Sequence, residues 1–396
     1  MYGQNLPQDN ATPAPSTQAL QSDKPISTKW YENLEFHGYM QFRYNRLLES
    51  NSLLRCDQCD KSWGKGQEFA FREARFIIKG DVHERVFIQL EVDHTSDASS
   101  TSKNFLQIRD AFFDYSFDKK KTFRLRLGES KVPFGFDNLQ SSVHRIAFDR
   151  SDAINSAVPG ERDFGAFFYY APASVRALYK DLVKNGLKGC GDFGVLAVGL
   201  YNGQTINKPQ LSDNVHRVAR LTYPFKIGNQ IIEPGVQGYS GLFTLPKDQL
   251  TAGVKTRSDL TYTDRRVAAS FVLYPQPFGI QAEYNWGEGP GFDKSTDSIR
   301  VSKLHGGYVT ASFRTTIART VFIPYYRFQT YDGGKKQEVD ARFYHVQEHE
   351  LGIEWQVNKN MELTLAYVMS HRQYQNYKSN YDESGHLLRI QVQASY

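Results

Sequence analysis

The sequence predicts an all-β fold, a transmembrane antiparallel β-barrel of about sixteen strands, and three observations carry that prediction. The first is composition. Aromatic residues make up 14% of the 396-residue chain (27 Phe, 24 Tyr, 4 Trp), yet mean hydropathy is −0.55. Such a chain is too polar for membrane helices, which need apolar runs of about 18 residues or more, and too aromatic for a disordered one. The second observation is apolar–polar alternation that recurs along most of the chain. The third is rhythm: tight turns alternate with long polar connections, as in barrels with short turns on one rim and long loops on the other.

Taken in order, residues 1–28 are rich in Pro, Gln, Ser, Thr and Asn and are expected to form a flexible leader before a barrel domain of 29–396. Alternation then starts abruptly. Leu34, Phe36, Gly38, Met40, Phe42 and Tyr44 share one face, while Glu35, His37, Tyr39, Gln41, Arg43 and Asn45 share the other. Eleven alternating residues exceed the usual strand of about five or six and match the 9–11 or so that cross a bilayer at a tilt. The pattern returns at Val86–Asp93, Phe123–Leu127, Arg266–Leu273, Ile280–Trp286, Glu350–Gln356 and Glu362–Tyr367. Weaker copies fall near 68–82, 106–117, 164–171, 192–202, 215–224, 231–241, 305–314 and 321–331, and no amphipathic helix is expected to compete with them. Tight turns are expected at Val82–Arg85, Pro275–Phe278 and Val357–Asn360. Long loops are expected at 46–66, 94–105, 203–213, 242–263, 287–303, 332–345 and 371–385.

The last segment sets Leu388, Ile390, Val392, Ala394 and Tyr396 against Arg389, Gln391, Gln393 and Ser395, so the chain ends on an aromatic residue, as barrels of the bacterial outer membrane commonly do. A soluble β-sandwich would alternate too, with its apolar face inward. Strand length, loop asymmetry, the terminal aromatic and a polar face rich in Arg and Glu favour the membrane barrel.

At Arg124-Leu-Arg-Leu-Gly128-Glu-Ser-Lys131-Val-Pro133-Phe-Gly135, followed by Pro159-Gly-Glu-Arg162-Asp163-Phe-Gly165, the chain resembles the phosphate-selective porin O/P family. Leu200–Gly203, Arg220–Phe225, Leu304–Tyr308 and Tyr326–Gly334 extend the likeness, which runs from about residue 34 to 396. The resemblance implies a sixteen-stranded bacterial outer-membrane porin, usually a homotrimer, whose third external loop folds inward as a constriction. Here that loop corresponds to about 136–163. Lys131 stands just before it, and His144, Arg145, Asp149, Arg150, Asp152, Glu161, Arg162 and Asp163 lie within it. Phosphate-specific members carry paired arginines in the second strand. Here Arg72 and Arg75 are interrupted by Glu73.

The candidate pore residues are therefore Lys131, Arg145, Arg150, Arg162, Arg124, Arg126, Arg72 and Arg75, since a guanidinium fork can grip phosphate or carboxylate at two points. Alternation also yields a map of lumenal charge. Arg43, Arg75, Lys79, Arg124, Arg126, Arg220, Arg266, Arg314, Arg327 and Arg389 are basic; Glu35, Glu73, Glu91, Asp93, Asp110, Asp114, Glu283, Glu348, Glu350 and Glu354 are acidic. The two signs are expected in separate sectors of the wall. A sixteen-stranded barrel has a radius of about 16 Å, twice the Debye length of about 8 Å, so only the constriction could discriminate strongly.

The expected activity is passive diffusion of small hydrophilic solutes with a possible preference for phosphate-like anions, without catalytic residues, cofactor or metal. The alternative is a plugged barrel that serves as a binding or scaffold partner in an envelope complex. An outer-membrane enzyme such as a barrel lipase is a distant third. Expected partners are small anions or other small hydrophilic solutes and outer-membrane lipid or lipopolysaccharide. No signal peptide is visible, which fits either a protein that stays inside the cell or a mature form after cleavage; with the barrel, the expected location is the bacterial outer membrane in mature form. Against 43 Asp and Glu, 48 Lys and Arg leave a net charge of only +5, too dispersed for nucleic-acid binding. Cys56 and Cys59, spaced C-x-x-C in the first long loop, are expected to form a small disulfide rather than a redox or zinc site. Cys190 is left without a partner. His345 and His349 lack the H-E-x-x-H spacing of a zinc protease, and Gly238–Gly241 lacks a nucleophile elbow.

Overall fold

A computed structural model describes residues 29–56, 58–59, 63, 69–95, 105–378 and 380–396. The expected leader, 1–28, lies outside the described residues. Among them sixteen antiparallel strands close into one barrel. They are β1 (Leu34–Leu47), β2 (Ala70–His83), β3 (Val86–Thr95), β4 (Phe105–Ser116), β5 (Phe123–Lys131), β6 (Arg162–Tyr170), β7 (Leu196–Tyr201) and β8 (His216–Thr222, resuming at Phe225–Ile227 past Pro224). Then follow β9 (Gln230–Thr244), β10 (Thr261–Leu273), β11 (Phe278–Asp293), β12 (Ser298–Phe313, resuming at Thr315–Ile317), β13 (Thr320–Gly334), β14 (Phe343–Asn358), β15 (Met361–Gln375) and β16 (Asn380–Ser395). Each strand pairs with the next, and β16 returns to β1 with Tyr39 opposite Ser395 and Phe42 opposite Val392. The seam is locked by Gly38 and Tyr396, which exchange backbone hydrogen bonds of 3.0 Å in both directions. Closure removes every sheet edge, which a bilayer requires because lipid can satisfy no backbone group.

The period-two pattern reads as expected. On β1, Phe36, Met40 and Phe42 are exposed, while Tyr39, Gln41, Arg43 and Asn45 are buried inside the barrel. The same inversion of a soluble core holds on β16, where Arg389, Gln391 and Gln393 point inward.

Three features differ from expectation. First, the connection between β6 and β7 contains a helix, α3 (Ala173–Lys184), whose Val175, Tyr179 and Leu182 are buried. Those positions recur at helical spacing, so the barrel does carry an amphipathic helix, placed on the rim of short turns. Second, the expected loops 287–303, 332–345 and 371–385 shrink to 294–297, 335–342 and 376–379, because β11 to β16 continue as paired ribbon. Asp332 opposes His345, and Gln373 opposes Asp382; polar residues take the outer face there while Tyr331, Tyr344 and Tyr374 are buried inside, so the lipid-facing pattern ends while backbone pairing persists. Third, charge is interleaved rather than divided into sectors. Arg75 pairs across strands with Asp93, Arg126 with Asp114 and Arg327 with Glu350. Opposite charges directly facing one another on neighbouring strands attract.

One apolar cluster inside the barrel lies against β6 to β10. Val132, Phe134, Ala157 and Val158 pack there on Phe167, Tyr169, Ala197 and Tyr239. Further buried apolar clusters join Ile146, Ala147 and Phe148 to Ile323, Tyr325 and Ala366, and Ala153 to Leu304, Tyr331, Tyr344 and Tyr374.

Candidate functional site

Gly135 ends the strand-to-loop turn at φ +84°, and a Cβ there would meet Ile154 at 2.3 Å, so only glycine suits the turn. The loop spans 132–161, with Arg162 and Asp163 opening β6 rather than ending the loop. It crosses the lumen and is fastened on nearly every side. The Phe136 and Asp137 N–H groups at the start of α1 (Phe136–Leu139) donate to the Glu283 carboxylate of β11 at 2.6 and 2.8 Å. Ser142 Oγ donates to Glu73 of β2 at 3.1 Å. Arg266 of β10 donates to Ala153 O, Ser156 Oγ and Ser156 O at 2.8–3.2 Å. Asp152, the first residue of α2 (Asp152–Asn155), receives Arg372 of β15 at 3.1 Å and also Lys335.

Asp149 is the focus of the far side. Arg43 of β1 reaches it at 2.9 Å, Arg389 of β16 at 2.6 Å and Arg72 of β2 at 3.9 Å. Burial alone would raise its carboxyl pKa, but Arg389, Arg43, Arg72 and Arg145 outweigh that and hold it well below the usual carboxylate range. Arg145 donates to the backbone oxygens of Ala147 at 3.3 Å and Phe148 at 3.0 Å. Burial, reinforced by Arg150, pushes its pKa down to about 9, while Asp137, Glu73 and Asp149 act the other way.

Glu161 closes the loop in a left-handed conformation (φ 65°) that costs a non-glycine residue about 1–2 kcal/mol. Three guanidiniums compensate: Arg109 at 3.0 Å, Arg150 at 3.1 Å and Arg162 at 2.8 Å.

A charged loop drawn across a sixteen-stranded barrel is the architecture of a diffusion channel, and comparison with known proteins agrees. The family model described as phosphate-selective porin O and P matches residues 53–396. The chain belongs to that family. Among solved structures, the outer-membrane channel DcaP of Acinetobacter baumannii superposes with a TM-score of 0.56 at 14% identity, covering 92% of this chain and 97% of that one. OmpT of Vibrio cholerae, an outer-membrane protein in trimer form, gives 0.53 at 11% identity, covering 92% and 99%. At such identities the likeness speaks for the fold alone. No curated protein sequence matches the chain.

Within this porin-family barrel the eight pore candidates fall into separate groups. Arg72, Arg145 and Arg150 gather in the constriction. Arg75 lies in a carboxylate network with Glu73, Glu91 and Asp93 at 2.9–3.5 Å. Arg162 joins Glu91, Asp110 and Glu161 at 2.8–3.2 Å. Arg124 and Arg126 sit lower, near the rim of short turns, where Arg126 grips Asp114 at 2.7 and 2.9 Å and Arg124 reaches Asp192 at 2.8 Å. Lys131 lies beneath the loop, donating to Leu139 O and Gln140 O at 2.9 and 3.0 Å. Cys56 and Cys59 are bonded, and Cys190 is a buried free thiol.

Two arginines reach the lumen against strict alternation. The register of β2 slips between Glu73 and Phe71, turning Arg72 toward Asp149; that of β4 slips between Asp110 and Ile108, turning Arg109 toward Glu161. A β-bulge adds one residue and re-aims its side chain, and no residue type in these stretches announces it. Arg372, a ligand of Asp152, was also outside the charge map, because residues 371–385 read as loop. Arg43 and Arg389 were on that map but not among the pore candidates; only the fold of the loop brings them to Asp149.

Proposed function

We propose that this porin-family barrel lies in the bacterial outer membrane and passes small hydrophilic solutes passively, with a preference for anions set at the loop constriction. The observation that carries the reading is Arg145 of the constriction loop, whose guanidinium donates to the backbone oxygens of Ala147 and Phe148 and has no carboxylate within salt-bridge distance among the described residues. A guanidinium remains charged at all physiological pH values and presents several donors, so one placed in the constriction without a paired carboxylate favours anions in transit. Elsewhere the lumenal charges are matched, as at Arg75, Arg126 and Arg162, which supports modest selectivity rather than a tight phosphate site. A homotrimer fits the family and the trimer form of the V. cholerae neighbour; native mass measurement in mild detergent tests it, and a monomer would remove it. Lipopolysaccharide contact at the outer face belongs to the same proposal.

The test is the reversal potential of single channels in planar bilayers under a KCl gradient. A chloride-over-potassium permeability ratio above one is expected, and a cation-preferring channel would overturn the anion reading. Conductance unaffected by millimolar phosphate would leave the arginines as a diffuse field. The second reading, a plugged barrel acting as a binding partner, is favoured by the 171–195 connection, which enters the lumen from the other rim; pure protein without measurable current would favour it.

A further inference from the structure

On a ring of sixteen strands, β6 and β14 stand eight places apart, so they face each other across the barrel. The connection 171–195 leaves β6, crosses to β14 and comes back to β7. On its outward path the apolar face of α3, Val175, Tyr179 and Leu182, packs with Ile231, Val272 and Tyr274 of the β9–β10 wall and with Phe136 and Leu139 of the constriction loop. At its far point the Lys188 ammonium meets the Glu354 carboxylate of β14 at 2.5 and 2.7 Å, with both side chains buried. The Lys188 carbonyl accepts from Gln140 Nε2 of the loop at 2.6 Å. The return path passes Cys190 and is tied down near β5 by Asp192, which receives Arg124 and Arg176 at 2.8 Å each.

The half of the mouth between β7 and β14 is therefore roofed. The other half remains as a vestibule of about 810 Å³, lined by Lys79, Phe87, Arg126, Lys180, Lys184 and Lys359 among others, with Ser141 and His144 of the constriction loop as its ceiling.

We propose that residues 171–195 are a latched strap that forms a second constriction on the turn-side mouth, held shut by the Lys188–Glu354 pair. Among the described residues the strap has one far-wall ionic anchor, whereas its helix is secured by apolar packing. Removing one partner of a buried ion pair leaves the other charge uncompensated, so the far end is the part that would swing free. The hinges are the two ends of the strap, beside Ala171 and Val195, where backbone bonds to Thr122 and Tyr170 hold it to the wall.

This inference rests on the channel reading, so its test has two readouts. The first is single-channel conductance of the full chain. The second needs no current: the rate at which a small cationic methanethiosulfonate modifies Cys190, the one cysteine outside the disulfide. Lys188→Gln and Glu354→Gln are each expected to speed modification about tenfold, as a local opening equilibrium shifts, and to raise conductance about twofold. The exchanged pair, K188E with E354K, is expected to return both toward the parent values. If the single variants do not fold, replacing residues 173–190 by a short Gly-Ser linker should still enlarge the conductance. Conducting parent protein with neither readout changed by any of these variants would overturn the strap. Faster modification in variants that carry no current, like the parent, would uphold the latch and remove the channel reading.

Discussion

Two segments that are not strands enter the lumen from opposite rims, and they are held by different physics. The loop 132–161 is fastened by charge: Glu283, Glu73, Asp149, Asp152 and Glu161 each join it to the wall or to itself, and Arg43, Arg266, Arg372 and Arg389 reach in from four strands. The connection 171–195 is fastened mainly by one apolar helix face, with a single ion pair at its far end. Many mutually dependent ionic anchors make a rigid partition with two or three points of failure. An apolar helix with one ionic anchor on the far wall makes a part whose far end can be released without dismantling the barrel. The comparison teaches that rigidity in a lumen follows from how many walls a segment touches, not from how many charges it carries.

The largest effect should come from Glu161, where the loop's own charges are most interdependent. Glu161→Ala leaves Arg109, Arg150 and Arg162 short of one shared carboxylate in a buried site. Breaking such a site costs about 3–5 kcal/mol. The urea midpoint, followed by the loss of heat-modifiable gel mobility, should fall accordingly. A cost below about 1 kcal/mol would mean that Asp110 and Glu91 absorb Arg162 unaided, and that the loop is redundant rather than interdependent.

The place where the two segments touch should respond to pH. His144 lies in the loop, and burial, with Lys188, Lys131 and Lys79 adding to it, pushes its pKa down to about 4. It is therefore neutral in the folded barrel, while an unfolded chain would protonate it near 6.5. Between those values the unfolded state binds more protons, so stability rises with pH across about 4 to 6.5 and falls as the solution is acidified through that window. His144→Gln should flatten this dependence between pH 7 and 5 in the same urea measurement. Asp149 and Glu161 act lower: burial opposes ionisation, yet their arginines hold both carboxyls below the ordinary range. Their contribution is present above about pH 4 and lost only as pH falls below that. An undiminished slope in the His144 variant would assign the acid sensitivity to some other group.

The barrel was legible because lipid and water impose opposite demands on alternate residues. Phe36, Met40 and Phe42 had to face one medium, and Gln41 and Arg43 the other. The constriction was legible only as a likeness, at Lys131 to Gly135 and Glu161 to Gly165, since nothing in residues 136–160 by itself says that they fold inward. Arg109 was hidden by a bulge, a backbone event without a residue signature at this position, and Arg72 was reached only through the family's paired arginines, since its inward turn rests on a bulge too. The helix at 173–184 was a different kind of miss. Val175, Leu178, Tyr179 and Leu182 stand at helical spacing, and that signal was readable, but twelve residues between two strands passed as an ordinary connection. The partner of Lys188 was not readable at all: Glu354 is 166 residues away, and only the closure of the ring brings it across.

The smallest structural effect, and the sharpest contrast between holding and selecting, belongs to Arg145. Its bonds are to two backbone oxygens, each worth about 1 kcal/mol, and its truncation also relieves the repulsion from Arg150. Arg145→Ala should therefore cost no more than about 1 kcal/mol of unfolding free energy in the urea measurement. Yet it removes the one arginine of the loop 132–161 itself that shows no carboxylate within salt-bridge distance among the described residues, so the chloride-over-potassium permeability ratio should fall toward one. Arg126→Ala makes the comparison, because Arg126 is already matched by Asp114 and its removal leaves that carboxylate buried. It should cost more stability than Arg145→Ala while changing selectivity less, unless the vestibule and not the loop decides which ions pass. A larger selectivity change in Arg126→Ala would move the selecting step from the loop to the mouth beside the strap.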